Sequence, residues 1–112
     1  MATHELHKFL VYAPDKIDDG TYALRLSVRE THLVNAKQWM AEKFLLVGGA
    51  MLTPESLTTP ENKKMIGSSF VCQAKNTEEV LEKIKSDVYF TFGVWDPDKI
   101  VVVPYVTITP FP

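Results

Sequence analysis

The chain has 112 residues, of which 46% are hydrophobic and 23% are charged, and its formal net charge is −2. This size and composition predict one globular domain spanning residues 1–112 rather than a disordered segment. The small negative charge gives no basic patch for nucleic acid, and no apolar run approaches the roughly 20 residues of a membrane span. No secretory signal is visible, and the single Cys72 excludes an intrachain disulfide. We therefore expect a cytoplasmic protein without nucleic-acid or membrane partners.

The first half of the chain predicts a strand, a helix and a second strand. The apolar run over 9–13 ends at Pro14 and predicts a buried strand. After a turn-rich connector over 14–20, a stretch of good helix formers without proline or glycine predicts a helix over 21–43. The apolar run over 44–51 predicts the second strand.

The second half predicts four elements: an exposed loop over 53–63, a strand over 65–74, a helix over 77–86 and a strand over 100–108. Asn76 followed by Glu79 resembles a capping box and marks the start of the helix. The aromatic-rich stretch over 88–95 suits one more helical turn. Pro104 cannot donate a ladder hydrogen bond, so the last strand is predicted at an edge of the sheet.

The resulting order, β-α-β-β-α-β, is typical of the ferredoxin-like α+β fold, a four-stranded antiparallel sheet with both helices on one face. The last strand carries Val101, Val103 and Tyr105 on one side and apolar residues opposite. The first strand is likewise apolar on both sides. A sheet that is apolar on both faces needs a second cover, and the chain offers no further element for it. We therefore predict a homodimer in which two sheets pack face to face.

The first predicted helix has an unusual pattern. Helical spacing places five residues on one arc that is predicted to face the core: Tyr22, Leu26, Leu33, Ala36 and Met40. Arg29 falls in the middle of this arc, where a cation is costly unless it is paired or lines a polar pocket. Arg25, His32 and Trp39 flank the arc, and Arg25 is predicted at a pocket rim or on the surface.

Five short motifs resemble, in this order, those of the YciI-like (YCII-related) family. They are Arg29-Glu30-Thr31-His32 (R-x-x-H), Leu46-Val47-Gly48-Gly49-Ala50 (a strand ending in a glycine turn), Ile66-Gly67-Ser68-Ser69-Phe70-Val71 (G-S-x-x-V), Asp87-Val88-Tyr89 with Gly93-Val94-Trp95 (D-P-Y and a glycine turn), and Val103-Pro104-Tyr105 (the last strand). The resemblance covers residues 9–109. One departure is Val88, which stands where the family has proline.

The resemblance implies a dimeric α+β barrel in which His32 and Asp87 form the active-site pair. It also implies activity without a metal or an organic cofactor. Family members with assigned chemistry promote proton shifts or eliminations on small oxygenated rings.

The residues themselves are compatible with this chemistry. The imidazole of His32 can take and return a proton near neutral pH, and a carboxylate such as Asp87 would fix its tautomer. The alternative is that His32 is a structural histidine at a helix edge. Arg29 would bind a substrate carboxylate or enolate, or instead form an ion pair with Asp87.

Other side chains are predicted to complete a pocket. Ser68 would offer a hydroxyl, and four aromatic residues would wall the site: Tyr12, Tyr89, Phe92 and Trp95. The alternative for each aromatic ring is an ordinary core or dimer contact. His4 and His7 have no third metal ligand at a suitable spacing, and Cys72 is predicted to be a small buried hydrophobe.

Our leading hypothesis from the sequence is a cofactor-independent lyase or isomerase, a dehydratase or proton-shift enzyme acting on a small oxygenated cyclic metabolite. One alternative is a non-catalytic small-molecule binding or accessory protein on the same scaffold. Another is a cofactorless monooxygenase, which would require a roomy aromatic pocket. A contact of His32 with Asp87 at the base of an apolar pocket favours the enzyme, whereas His32 on an open surface favours the binding protein.

Overall fold

The computed structural model describes residues 5–58 and 60–110 and contains one four-stranded antiparallel sheet. The strands are β1 (His7–Pro14), β2 (Leu45–Leu52), β3 (Met65–Ala74) and β4 (Val101–Pro104), in the spatial order β2-β3-β1-β4. The helices are α1 (Thr21–Ser27), α2 (Arg29–Ala41), α3 (Thr77–Ser86) and α4 (Val88–Thr91). Two 3₁₀ turns, Pro54–Leu57 and Pro60–Asn62, lie in the loop between β2 and β3. The predicted ferredoxin-like α+β fold is confirmed.

The helix predicted over 21–43 is interrupted at Val28, whose backbone angles (φ −108°, ψ 7°) are not helical. The hydrogen bonds from the Val28 N–H to the Leu24 carbonyl and from the His32 N–H to the Val28 carbonyl are kept. The interruption is therefore a kink between α1 and α2 rather than a gap. The segment ends at Lys43, which adopts a left-handed conformation (φ 66°) just before β2.

The predicted core-facing arc of this segment is wrong. Leu26, Leu33 and Met40 are exposed, and so is Arg29. The buried side chains come from the flank of the arc, where Arg25 is 2% exposed. The inward face therefore mixes the buried cation Arg25 with apolar residues such as Trp39, which is why the periodicity of apolar residues alone predicted the wrong face. The expectation that Arg25 lies at a pocket rim or on the surface is also wrong.

The core lies between the helices and one face of the sheet. It is made by alternate residues of β1 and β3 together with helix residues: Phe9, Val11, Ala13, Phe70, Cys72, Ala74, Trp39, Val80 and Ile84. Helix α3 begins as predicted, because the Asn76 carboxamide oxygen accepts the Glu79 N–H at 2.9 Å. The cap holds α3 over the sheet and thereby sets where its C-terminal end, Asp87, lies.

The other face of the sheet is apolar and exposed. The register places Leu10 opposite Val103 and Tyr12 opposite Val101, and all four side chains point away from the helices. Strand β4 pairs only with β1, so it is an edge strand as predicted, although it ends at Pro104 rather than continuing to 108. Among the described residues, no helix has the length and apolar character needed to cross a bilayer.

Cys72 provides a first prediction. Its side chain is fully buried in β3, and burial raises the pKa of the thiol to about 12, against an ordinary value of 9.0. Since only the thiolate reacts, we expect an aromatic disulfide reagent at pH 8 to modify native Cys72 about 1000-fold more slowly than the unfolded chain. Absorbance of the released thiol measures both rates. Equal rates in native and denaturing buffer would show that the thiol is accessible.

Candidate active site

Asp87 occupies the junction of two helices. It ends α3 and begins α4, and its extended backbone (φ −79°, ψ 148°) turns its side chain back toward the chain that follows. The carboxylate oxygen Oδ2 accepts the Tyr89 N–H at 3.0 Å, as an N-cap residue does. The side chain is completely buried. A buried carboxylate requires such donors, because it has no water to solvate its charge.

His32 and Asn35 supply the other donors from α2. His32 Nδ1 lies 2.8 Å from Asp87 Oδ2, and Asn35 Nδ2 donates to Asp87 Oδ1 at 2.6 Å. The two residues are three positions apart, which places them on the same helix face. Three donors thus converge on one buried carboxylate, so both of its oxygens have hydrogen-bond partners.

This geometry fixes the tautomer of the imidazole. A carboxylate can only accept at Nδ1, so Nδ1 carries the proton and Nε2 of the neutral ring presents a lone pair. The His32 side chain is 16% exposed. The pair therefore combines a completely buried carboxylate with a partly exposed imidazole, and a neutral imidazole with a free lone pair can act as a base.

Two aromatic rings pack around the imidazole. The Tyr89 ring stacks on the His32 ring with 3.9 Å between centroids and 17° between planes. Trp95 meets both rings edge-on, at 6.1 Å from His32 and 5.6 Å from Tyr89. Burial raises the pKa of the Tyr89 phenol, while the charges of Arg25 and Arg29 oppose this shift. The hydroxyl is therefore protonated at neutral pH, and the imidazole stacks on an uncharged ring.

Beneath Tyr89 lies a buried ion pair. Arg25 Nη1 donates to Asp15 Oδ1 at 2.7 Å, and Arg25 Nη2 donates to the Ser68 hydroxyl at 3.1 Å and to the Gly67 carbonyl at 3.2 Å. The guanidinium carbon lies 4.4 Å from the centroid of the Tyr89 ring. Burial raises the pKa of the Asp15 carboxyl, and the Arg25 charge partly offsets that effect. Arg25 Nε is buried and has no hydrogen-bond partner among the described residues.

The structure brings together most, but not all, of the side chains predicted for the site. His32, Asp87, Tyr89 and Trp95 form one cluster, and Ser68 joins it because its hydroxyl accepts the Trp95 indole N–H at 3.2 Å.

Three predicted residues lie apart from this cluster. Tyr12 lies on the exposed sheet face, and Phe92 is 57% exposed. Arg29 is exposed at the first position of α2, although its charge reaches Tyr89. The suggested ion pair between Arg29 and Asp87 is wrong, because other donors occupy the carboxylate.

Asn35 and Asp15 were not predicted from the sequence as site residues. Asn35 could have been identified from its spacing, because it follows His32 by three residues in a predicted helix and therefore lies on the same helix face. Asp15 directly follows an apolar strand, where an acidic residue is equally compatible with a solvent-exposed turn. Nothing in the spacing pairs it with Arg25.

A cleft of about 790 Å³ lies among the described residues and does not include His32 or Asp87. It is lined by the end of β1, the start of α1, the facing ends of β2 and β3, and the chain that enters β4. Tyr12 and Asp15 both line it. Asp15 therefore connects this cleft to Arg25 and, through the Tyr89 ring, to the imidazole.

Within the described ranges, no group of three or more His, Cys, Asp or Glu side chains is arranged to hold a metal ion. His7 is exposed at the start of β1. His4, considered above as a weak ligand candidate, lies outside the described residues.

A family model, the YCII-related domain, matches residues 8–103 of the chain. Two similar proteins come from Emericella nidulans. Aspercryptin biosynthesis cluster protein B is 28% identical over 100 residues, which cover 89% of this chain and 63% of that protein. Derivative of benzaldehyde biosynthesis cluster protein C is 29% identical over 89 residues, which cover 80% of this chain and 89% of that protein. The chain thus spans slightly less than two thirds of the first relative.

A solved structure has the same fold. It is 5-chloro-2-hydroxyhydroquinone dehydrochlorinase from Burkholderia phenoliruptrix, in complex with 2,5-dihydroxybenzoquinone. The TM-score is 0.74 and the identity is 23%, with 88% of this chain and 93% of that chain covered. At this identity the likeness establishes the architecture.

Proposed function

The chain belongs to the YCII-related family, and on that premise we propose that it is a cofactor-independent lyase or isomerase that moves a proton on a small oxygenated ring. The observation that carries the proposal is the 2.8 Å contact between His32 Nδ1 and the completely buried Asp87 carboxylate. This contact leaves Nε2 as the basic atom of a partly exposed imidazole. General acid–base catalysis by such a group contributes about 10²–10⁴-fold to rate.

In the proposed mechanism, His32 removes a proton through Nε2 and later returns one to the substrate. Asp87 holds the ring in the correct tautomer and stabilises the imidazolium that forms. Arg29, exposed one turn before His32, is proposed to bind the oxygen on which negative charge develops. Its planar guanidinium suits an enolate or phenolate oxygen.

The relatives support a substrate class. The structurally similar dehydrochlorinase acts on a chlorinated hydroxyhydroquinone, and its complex contains a dihydroxybenzoquinone. The two sequence relatives are named for biosynthesis clusters. We therefore propose a hydroxylated aromatic, quinoid or lactone ring as the substrate and secondary metabolism as the setting.

A second subunit is proposed to cover the exposed sheet face formed by β1 and β4. Leu10, Tyr12, Val101 and Val103 form an apolar patch on this face, and such patches commonly mark association sites. Pairing two sheets in this way would form the predicted α+β barrel.

The dimer gives a testable prediction. Light scattering is expected to show twice the chain mass of 12.7 kDa, and Val103→Lys is expected to shift the protein to monomer at micromolar concentration. The matched control is Val34→Lys, because Val34 is an exposed valine on α2, on the helix layer. A monomeric wild-type protein, or a dimeric Val103→Lys variant, would contradict this assembly.

One observation favours a second candidate function, a non-catalytic small-molecule binding protein. The 790 Å³ cleft lacks both His32 and Asp87, so a ligand held there would not touch the imidazole. In that case a hydroxylated ring compound would bind without being converted.

The experiment that tests the proposal compares turnover of hydroxylated quinones and lactones by the wild type and His32→Ala. We expect His32→Ala to lower kcat about 10²–10⁴-fold. His7→Ala is the matched control, because His7 is exposed at the opposite end of β1 from Asp15. Unchanged turnover in His32→Ala would contradict the proposal, and binding without turnover by the wild type would favour the second candidate.

A further inference from the structure

We infer that Tyr89 is the positioning residue of the site: its backbone N–H holds the Asp87 carboxylate and its ring fixes the plane of the His32 imidazole. The inference deepens the proposed function and rests on it, since the orientation of His32 Nε2 matters only if that atom handles a proton. It gives Tyr89 a different role from the pocket wall expected from the sequence.

The imidazole needs a second constraint besides its hydrogen bond to Asp87. A hydrogen bond at Nδ1 fixes one atom of the ring but lets the ring pivot about the N–H···O axis. Such a pivot swings Nε2 away from a bound substrate. Productive catalytic geometry tolerates only about 10–20° of such error. The 17° angle and 3.9 Å separation of the stacked rings limit this pivot, because a tilted imidazole would collide with the Tyr89 ring.

A single residue contacts both members of the pair. Tyr89 N–H donates to Asp87 Oδ2, the same oxygen that His32 Nδ1 contacts. The turn from Asp87 to Tyr89 therefore sets the carboxylate and the stacking surface together. A movement of the Asp87 carboxylate would therefore be accompanied by a movement of the Tyr89 ring.

The Tyr89 ring is itself buried and packed on several sides. It is 1% exposed, so it has little surface to offer a substrate. The Arg25 guanidinium carbon lies 4.4 Å from its centroid. The Tyr89 ring thus contacts both the Arg25 guanidinium and the His32 imidazole. Trp95 packs against the ring edge-on at 74°.

Arg25 connects the Tyr89 ring to the sheet. The guanidinium is held by Asp15 just after β1 and by Gly67 and Ser68 of β3. Two neighbouring strands thus fix Arg25, which supports the Tyr89 ring against the imidazole. Placing a buried ion pair here is costly compared with an apolar side chain, and a positioning role accounts for its presence.

The test compares Tyr89→Leu, which removes the planar ring, with Tyr89→Phe, which keeps it. We expect Tyr89→Leu to lower kcat about 10–100-fold, with KM within twofold of the wild type, because misplacing a catalytic group by about 1 Å has effects of this size. Tyr89→Phe is expected to restore kcat to within about threefold. Phe90→Leu is the matched control, since it removes an aromatic ring from the same short helix.

A measurement that does not depend on turnover separates the positioning role of Tyr89 from the proposed catalytic function. Nuclear Overhauser contacts between the His32 and Trp95 rings report the imidazole plane in the free protein. We expect these contacts in the wild type and Tyr89→Phe, and their loss in folded Tyr89→Leu. Unaltered contacts and kcat in Tyr89→Leu, or loss of kcat in Tyr89→Phe, would overturn the inference. If His32→Ala retains full turnover, the proposed function fails, while the ring contacts still decide the role of Tyr89.

Discussion

Replacing Asp87 with asparagine is expected to lower kcat by at least about 100-fold while the protein remains folded. The amide has nearly the shape of the carboxylate but only one accepting oxygen. If that oxygen keeps the contacts with His32 Nδ1 and the Tyr89 N–H, the new amide N–H group faces Asn35, which can turn its own amide to accept. The pair then lacks the negative charge that stabilises the imidazolium.

The opposite orientation of the amide has a similar consequence. Its N–H group would point at His32 Nδ1 and force the proton onto Nε2, which removes the lone pair that acts as base. Both orientations therefore predict a loss in kcat, and the second also leaves the buried Tyr89 N–H without its acceptor. Steady-state kinetics and thermal unfolding of Asp87→Asn, beside Glu82→Gln on the exposed face of α3, measure the two effects. Wild-type kcat in Asp87→Asn would contradict the proposed role of the carboxylate.

Replacing Arg25 with methionine is expected to destabilise the protein by about 3–5 kcal/mol. The substitution keeps most of the apolar stem but leaves the buried Asp15 carboxylate without its partner. The Ser68 hydroxyl loses one donor but keeps the Trp95 indole N–H. Urea unfolding measures the loss. Arg29→Met is the matched control, because Arg29 is exposed one turn away and its loss is expected to change the unfolding free energy by no more than about 0.5 kcal/mol.

A double variant shows whether the unpaired charge is the cause. In Arg25→Met with Asp15→Leu, both charges are absent, and we expect much of the lost stability to return. Strictly additive losses in the double variant would mean that Arg25 acts through packing alone. The double variant therefore distinguishes the loss of the charged partner of Asp15 from the loss of Arg25 side-chain volume.

The unpaired Asp15 carboxylate also predicts that the stability deficit of Arg25→Met depends on pH. Burial raises the pKa of Asp15 above its ordinary 3.8 even with Arg25 present, and removal of the cation would raise it further. The native state then favours the protonated carboxyl, so the energetic cost of burying the charge is absent below pH 3.8 and complete above the native pKa. The deficit of Arg25→Met is expected to be smaller at pH 4 than at pH 7. A deficit independent of pH would contradict this account.

The architecture could be predicted from the sequence because strands and helix caps depend on residues that are close together in the chain. Apolar runs identified the strands, and the contact between Asn76 and Glu79 depends on residues three apart, so both could be read from the chain. The buried face of the first helical segment could not be read in this way. It is determined by the partners of Arg25, which lie in other elements, and by the kink at Val28. An apolar arc is a poor guide when the inward face also carries a buried cation.

For the same reason, only part of the candidate site could be predicted from the sequence. His32 and Asp87 were predicted as a pair from the family motifs, although Val88 replaces the usual proline. Asp87 keeps its position because its own side chain caps α4. The part played by Tyr89 could not be predicted, since stacking depends on the relative placement of α2 and α4. Neither the composition of the chain nor the spacing of its motifs indicates how α2 and α4 are placed relative to each other.

The most direct test of the central claim is a long-range proton–nitrogen correlation spectrum of the histidine imidazoles in the free protein. The His32 signals are assigned by their absence in His32→Ala, and exposed His7 serves as an internal comparison. The account predicts that neutral His32 carries its proton on Nδ1 in a single tautomer, with Nε2 unprotonated. A proton on Nε2, or the averaged pattern of an exposed histidine such as His7, would contradict the pairing of His32 with Asp87.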